Sequence, residues 1–369
     1  MKKKLAFFLF LLFPFCTFSQ INPVTPQTQI SILTVDVANE SHTLYGHTAI
    51  RVKDDSNHFD YVWNYGMFDF RTENFILKFI KGDLQYYAAA YPYADFEYSY
   101  QMENRSIYEQ VLNISTEEKQ KLFEKLSQSV LTDDKFYTYK FIDRNCTTKV
   151  IDVVNEVLKD KPIQNTLHKD ESYRSVLFPY QQDQFWMNFG INIIFGQRPD
   201  EQAKVLFLPL DLMKVLDKTE YQGKPLTSKA KTNYQAFTSE KKFDFFNSIY
   251  PLLLALLIFI TLNRKITNII YFGILGSIGL LFSLIGLYSL HREILWNYNI
   301  LVFNPLNLIL IYFIIKNNAV WIKKTSRACL LLLAIYLLYM LNKVHLMMVL
   351  PLIATSAIQL LRLSRKKIE

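Results

Sequence analysis

YGHTAIRVKDDSNHFDYVWN, residues 45–64, has the form of a β-hairpin. Two runs, His47–Lys53 and His58–Asn64, flank the polar four-residue loop Asp54-Asp55-Ser56-Asn57. Pairing them symmetrically about that loop sets Arg51 against Asp60, Ile50 against Tyr61 and Val52 against Phe59. One opposite-charge pair and two apolar pairs on alternating faces make this register self-consistent. It also sets Asn64 across from His47, and His58 against Lys53 at the loop end. Upstream, a proline-interrupted leader (21–29) precedes Ile30–Val37, a strand without strict alternation and so buried. Downstream, tyrosines crowd Tyr86–Tyr100 as strand and loop. Ser115-x-x-Glu118 is a capping box that opens a helix to about Val130. Asp143-Arg144-Asn145-Cys146-Thr147-Thr148 leads into Val150, Ile151, Val153, Val154, Val157 and Leu158 at helical spacing, placing Cys146 in the first turn of an amphipathic helix. These elements predict an α+β domain over residues 20–240, with the polar stretch Asp217–Lys242 as its linker to the C-terminal third of the chain.

That C-terminal third reads as membrane. The 369 residues are half hydrophobic and 15% aromatic, with only ten glycines, which excludes a disordered, collagen-like or disulfide-scaffold protein. Apolar runs at about 245–263, 268–290, 298–315, 328–342 and 344–361 predict an all-α domain of five transmembrane helices over 241–369. Residues 1–19 read as a signal peptide: Lys2–Lys4, the apolar stretch Leu5–Phe15, and Thr17-Phe18-Ser19 ahead of a cut before Gln20. An uncleaved anchor is the alternative. With the N-terminus outside, the inner loops carry Arg264 and Lys265; Lys316, Lys323, Lys324 and Arg327; and Arg362, Arg365, Lys366 and Lys367. Positive charge then lies inside at every crossing. The α+β domain faces the oxidising side of the inner membrane, the periplasm in a bacterium, and the C-terminus is cytoplasmic. Of the net charge of +8, the part from Arg264 onward carries +10 and Lys2–Lys4 carry +3, leaving −5 between them. An outer domain of that sign is not built for nucleic acid.

Three cysteines occur, and only Cys146 lies in the outer domain, with no partner there for a disulfide. A small core residue is one reading. A helix start, with free N–H groups and a positive dipole end, favours the thiolate instead. His47, following Gly46 at a strand entry, is either structural or the base such a thiol needs, and Asn64 stands where an orienting partner would. The chain order of this Cys-His-Asn set is the reverse of papain. No Cys/His/Asp spacing, including His42 and His58, suggests a zinc site, so no metal or cofactor is expected. His168 sits in a polar stretch and reads as solvated. His291 and Glu293, between the second and third spans, belong either to a wet loop with Trp296 as its anchor or to a site shared with the outer domain.

Taken together, Tyr45–Arg51, Asn64–Phe70 and Asn145–Thr148 resemble the periplasmic domain of the Lnb lipoprotein N-acyltransferases. Trp186–Gly190 and Phe207-Leu208-Pro209 resemble later parts of that domain, and the five spans, with His291 and Asn304-Pro305-Leu306, its membrane part. The resemblance implies a circularly permuted papain-like fold, shared with NlpC-type and lecithin:retinol acyltransferase-like enzymes. There the residue facing the strand histidine completes the site, in several relatives as a second histidine. It further implies an enzyme in which Cys146, with His47 as base and Asn64 as orienting group, takes an acyl chain from a membrane phospholipid. The thioester then passes it to the N-terminal amine of diacylglyceryl-cysteine lipoproteins, with His291, Glu293 and Arg144 as candidate substrate contacts. Two other classes fit the same residues: a tethered NlpC-type cell-wall peptidase or amidase, and a non-enzymatic envelope module with a structural cysteine.

Overall fold

A computed structural model describes residues 24–40, 42–237 and 242–365. The signal-peptide reading of residues 1–19 lies outside the described residues. In chain order the outer part contains β1 (Gln29–Val35), β2 (His47–Asp54), β3 (Phe59–Met67), α1 (Phe75–Lys81), β4 (Gln85–Pro92), α2 (Tyr93–Met102), β5 (Ile107–Val111), α3 (Thr116–Leu131), β6 (Phe136–Thr138) and α4 (Cys146–Val157). It continues through α5 (Tyr173–Leu177), α6 (Phe185–Ile194), α7 (Pro209–Leu216), β7 (Glu220–Tyr221), β8 (Lys224–Pro225) and β9 (Lys231–Tyr234). Seven strands form one sheet in the order β6-β4-β3-β2-β1-β5-β9, each neighbouring pair antiparallel.

The lack of alternation in β1 has a simple cause: both faces of the sheet are covered. Ile30 and Ile32 join Ile50, Val52, Trp63 and the apolar sides of α3 and α4 on one face. Leu33 and Val35 meet Val62, Tyr93 and Phe96 on the other, under α2. The box at Ser115 caps α3 as its sequence implies.

Two expectations are corrected. The β2–β3 register pairs Ala49 with Asn64, Val52 with Tyr61 and Lys53 with Asp60, two residues away from the symmetric pairing. Asp54 stays in the strand, because its carboxylate accepts from the Ser56 and Asn57 amides and the Thr25 and Thr28 hydroxyls. His58, at φ +50°, closes the turn instead. A slip of two preserves every side chain's face, so Arg51 still holds Asp60 in a bidentate pair, both bonds 2.7 Å, now diagonally. The second correction concerns Asp217–Lys242. Its described part is no linker: β7 and β8 make a small hairpin and β9 pairs with β5 as the sheet's edge. Pairing at an edge uses backbone groups and needs no apolar pattern, so a polar strand gave no signal.

Beyond residue 242 come α8 (Tyr250–Leu262), α9 (Lys265–Tyr288), α10 (Leu306–Ile315), α11 (Ala319–Met340) and α12 (Leu346–Arg365). Each packs on the next and α12 returns to α8, so the five close into a ring. Three stretches, Lys265–Tyr288, Arg292–Ile315 and Leu346–Arg365, are long and apolar enough to cross a membrane. Helix α11 starts well before the apolar run at 328 and absorbs Lys323, Lys324 and Arg327, most of what reads as an inner loop in sequence. Small residues let α9 approach its neighbour: a Cβ on Gly279 would lie 1.6 Å from the Phe303 carbonyl oxygen.

The outer domain is seated on one end of this ring by hydrogen bonds. Asn299, fully buried, donates to the carbonyls of Asn192, Ile193 and Phe195 at the end of α6 and accepts from Tyr336 at 2.7 Å. Asn297 donates to Ile193 and Ile194, and the Gly196 amide donates to the Glu293 carbonyl. Lys343, at the turn between α11 and α12, meets Asp200.

Candidate active site

Cys146 is the first residue of α4, and its position is set by Asn145. The Asn145 side chain accepts from the Thr148 amide while the Thr148 hydroxyl accepts from the Asn145 amide, a reciprocal cap. Its Nδ2 donates to the carbonyls of Phe141 and Phe207, both at 2.9 Å, which pins the helix start to two other segments. The amides of Cys146 and Thr147 lie in the same turn and have no acceptor among the described residues.

His47 opens β2. Gly46 before it adopts φ +80°, and a Cβ there would lie 2.7 Å from the Val35 carbonyl oxygen, so only glycine brings the chain in at this angle. The ring Nε2 is 2.5 Å from Asn64 Oδ1, and Asn64 Nδ2 donates to the Tyr91 hydroxyl at 2.7 Å. That second bond orients the amide, so Oδ1 is the acceptor and Nε2 carries the proton. Nδ1 is then the basic nitrogen left to face the thiol, with which the imidazole is hydrogen bonded. Cys146, His47 and Asn64 therefore meet, although Asn64 sits diagonal to His47 rather than opposite it.

Burial works against both charges here, pushing the thiol up and the imidazole down. The partners outweigh it. The imidazolium charge and hydrogen bond, the Thr48 amide and the Thr147 hydroxyl bring the Cys146 thiol below its ordinary value. The thiolate and the bonds to Cys146 and Asn64 hold His47 above its own, against an opposing push from Arg105. Each group thus favours the charged form of the other, the thiolate and the imidazolium.

One wall of the site is aromatic. Gly66, at φ +90° beside an irregularity in the β3–β4 pairing, is where a Cβ would stand 3.9 Å from Cys146 Cβ, 3.7 Å from the Tyr139 ring and 4.0 Å from the Tyr137 hydroxyl. Arg144 is exposed at the rim, its guanidinium 5.2 Å from the centre of the Tyr137 ring. His291 and Glu293 are bonded to backbone groups of the outer domain. His291 Nε2 donates to the Phe79 carbonyl at 2.8 Å, and buried Glu293 accepts from the Ile142 amide at 3.4 Å. The loop is thus docked rather than wet, although Trp296 is exposed. Sequence reasoning missed Thr48, Gly66, Tyr91, Tyr137 and Tyr139. The crowding of tyrosines over Tyr86–Tyr100 hinted at Tyr91 alone. His168 is corrected: it is no solvated residue but bridges Glu171 at 2.9 Å and Asp211 at 2.8 Å. Both carboxylates lift its pKa against the cost of its partial burial.

Fold and site define a membrane protein whose mixed α/β domain carries a paired thiol and imidazole at a helix start. The model of the Lnb N-terminal periplasmic domain matches residues 22–177, which include His47, Asn64 and Cys146. Over those residues the chain is similar to the periplasmic domain of the Lnb family. No curated protein and no solved structure matches it.

Proposed function

We propose that this protein is a cysteine-dependent lipoprotein N-acyltransferase of the bacterial inner membrane, with a circularly permuted papain-like domain above five spans. The observation that carries the reading is the Cys146–His47–Asn64 constellation in a domain seated directly on the ends of membrane helices. Five crossings agree with the ring of helices. The outer domain is bonded to the turns after α9 and α11, and Lys265, Lys316 and Arg362 fall at the opposite end.

In the first half-reaction His47 holds the proton of Cys146, and the thiolate attacks the ester carbonyl carbon of a phospholipid acyl chain. The free amides of Cys146 and Thr147 receive the oxyanion. The C–O bond breaks, His47 returns its proton to the departing alkoxide, and lysophospholipid leaves behind a thioester. In the second half the neutral α-amine of a diacylglyceryl-cysteine attacks that thioester. An amide forms, the C–S bond breaks, and His47 takes the amine proton as Cys146 is regenerated. Neither half requires metal or nucleotide. Confinement of both lipids to one leaflet replaces a three-dimensional search by a two-dimensional one. Arg144 at the rim is proposed to meet the donor phosphate, whereas His291 and Glu293 serve the site through docking. Cys146→Ala should leave lipoproteins diacylated by mass spectrometry in a strain lacking other N-acyltransferases; triacylated lipoprotein there would refute the assignment. A cell-wall peptidase would instead release peptidoglycan fragments, which the purified protein should not do.

A further inference from the structure

Helix α1 has the sequence FILKFIK and buries none of its side chains within the protein. Ile76 is 69% exposed, Leu77 and Phe79 are at least half exposed, and Phe70 just before them is 75% exposed. Seven residues of which only Phe75 is half-buried against the core do not hold a helix in water by themselves. What anchors α1 is its last turn of carbonyls. The Tyr288 hydroxyl bonds Leu77 O at 3.5 Å, Ser289 Oγ bonds Ile80 O at 2.8 Å, the Leu290 amide bonds Lys81 O at 2.7 Å, and His291 bonds Phe79 O. All four donors lie at the point where α9 ends, so α1 stands at the end of that membrane-capable helix. Exposed Leu284, Leu287 and Leu290 continue the apolar surface of α9 into it. An apolar surface continuous with a lipid-facing one has lipid against it.

From α1 an unbroken series of rings leads to the thiol. Phe79 stacks on Phe75 at 6.3 Å, Phe75 lies 5.8 Å from Phe68, Phe68 lies 5.4 Å from Tyr86, and Tyr86 stacks on Tyr139 at 4.5 Å. Tyr139 and Cys146 flank Gly66 from two sides.

We infer that α1 lies in the headgroup and upper acyl region of the outer leaflet, and that a bilayer phospholipid's ester reaches Cys146 along this aromatic face. The first half stands on geometry alone; the second rests on the transacylase reading. The test uses the full chain with Cys16→Ser and Cys146→Ser, in which buried Cys329 stays unlabelled, and adds Ile76→Cys or, as control, Ser56→Cys. Ser56 sits at the hairpin tip, at the far end of β3 from α1, about 30 Å away at about 3.3 Å per residue. Each is labelled with bimane and reconstituted in vesicles of phosphatidylethanolamine and phosphatidylglycerol containing lipid brominated high on the acyl chain. Quenching at position 76 of at least twofold with none at 56 is expected; equal, weak quenching at both overturns the placement. Next, Ile76→Glu with Phe79→Glu should slow acyl transfer from vesicle phospholipid about tenfold while iodoacetamide alkylation of Cys146 stays within twofold. Unchanged transfer overturns the route. If the native protein transfers no acyl chain, the transacylase reading and the route fall together, and the quenching still decides where α1 lies.

Discussion

At Cys146 the free energy of a charged sulfur inside protein is set by competition between desolvation and three specific partners, His47, Thr48 and Thr147, and the partners prevail. The sign of its pH dependence is set by the same competition. Lowering the thiol and raising the imidazole both favour the ion pair. Reactivity should fall on the acid side as the thiolate gains a proton, and acyl transfer on the basic side as His47 loses the one it must deliver. Iodoacetamide should therefore alkylate Cys146 at neutral pH, where an ordinary thiol near 9 is mostly protonated. In His47→Asn the alkylation midpoint should move up toward that ordinary value, and acyl transfer should fall by about 10²–10⁴-fold through loss of the base. An unmoved midpoint would mean that the imidazole does not sustain the thiolate. The cysteine, histidine and asparagine were all legible in the sequence as residues on suitable elements. Their meeting was not, because about 100 residues of chain separate the imidazole from the thiol and nothing local encodes the fold that closes that gap.

At the scale of elements, the start of α4 depends on a single side chain. Asn145 caps the helix and satisfies two carbonyls of other segments, so Asn145→Ala removes a cap and leaves buried acceptors unpaired. Thermal unfolding in detergent should show a loss of about 2 kcal/mol. Asn145→Asp can keep the cap but sets a carboxylate next to the thiol, so its alkylation midpoint should rise even where stability is retained. The two variants separate the mechanical role of this residue from its electrostatic one. Helices α3 and α4 were readable because caps and 3.6-residue spacing are local signals. The hairpin was readable in its faces and misread in its register. Whether Asp54 ends the strand or caps the turn depends on Thr25 and Thr28, some 26 to 29 residues earlier.

For the molecule as a whole, the junction between domain and bundle rests on buried amides rather than on surface charge. Asn299→Leu removes one donor from each of three carbonyls at the α6 end, which keep Asn297 or Arg174, and leaves the buried Tyr336 hydroxyl without its acceptor. A loss of about 2–5 kcal/mol is expected, read as a lower melting temperature and faster proteolysis between the two parts. Arg292→Ala removes an exposed pair with Asp143 and should cost under about 1 kcal/mol. If the order of these two effects were reversed, the junction would be electrostatic.

The sequence by itself determined what repeats at short range: the first three strands and the faces of their hairpin, helices α3 and α4, the apolar runs, and a thiol at a helix start. Each arises from side-chain periodicity or from groups within a turn of one another. Only the tertiary structure decided the hairpin register, the polar edge strand β9, the contact between Cys146 and His47, and the seating of the domain on the bundle. The register and the thiol–imidazole contact join side chains far apart in the chain, and the edge strand and the seating use backbone carbonyls and amides that every residue carries alike, so no local pattern announces them.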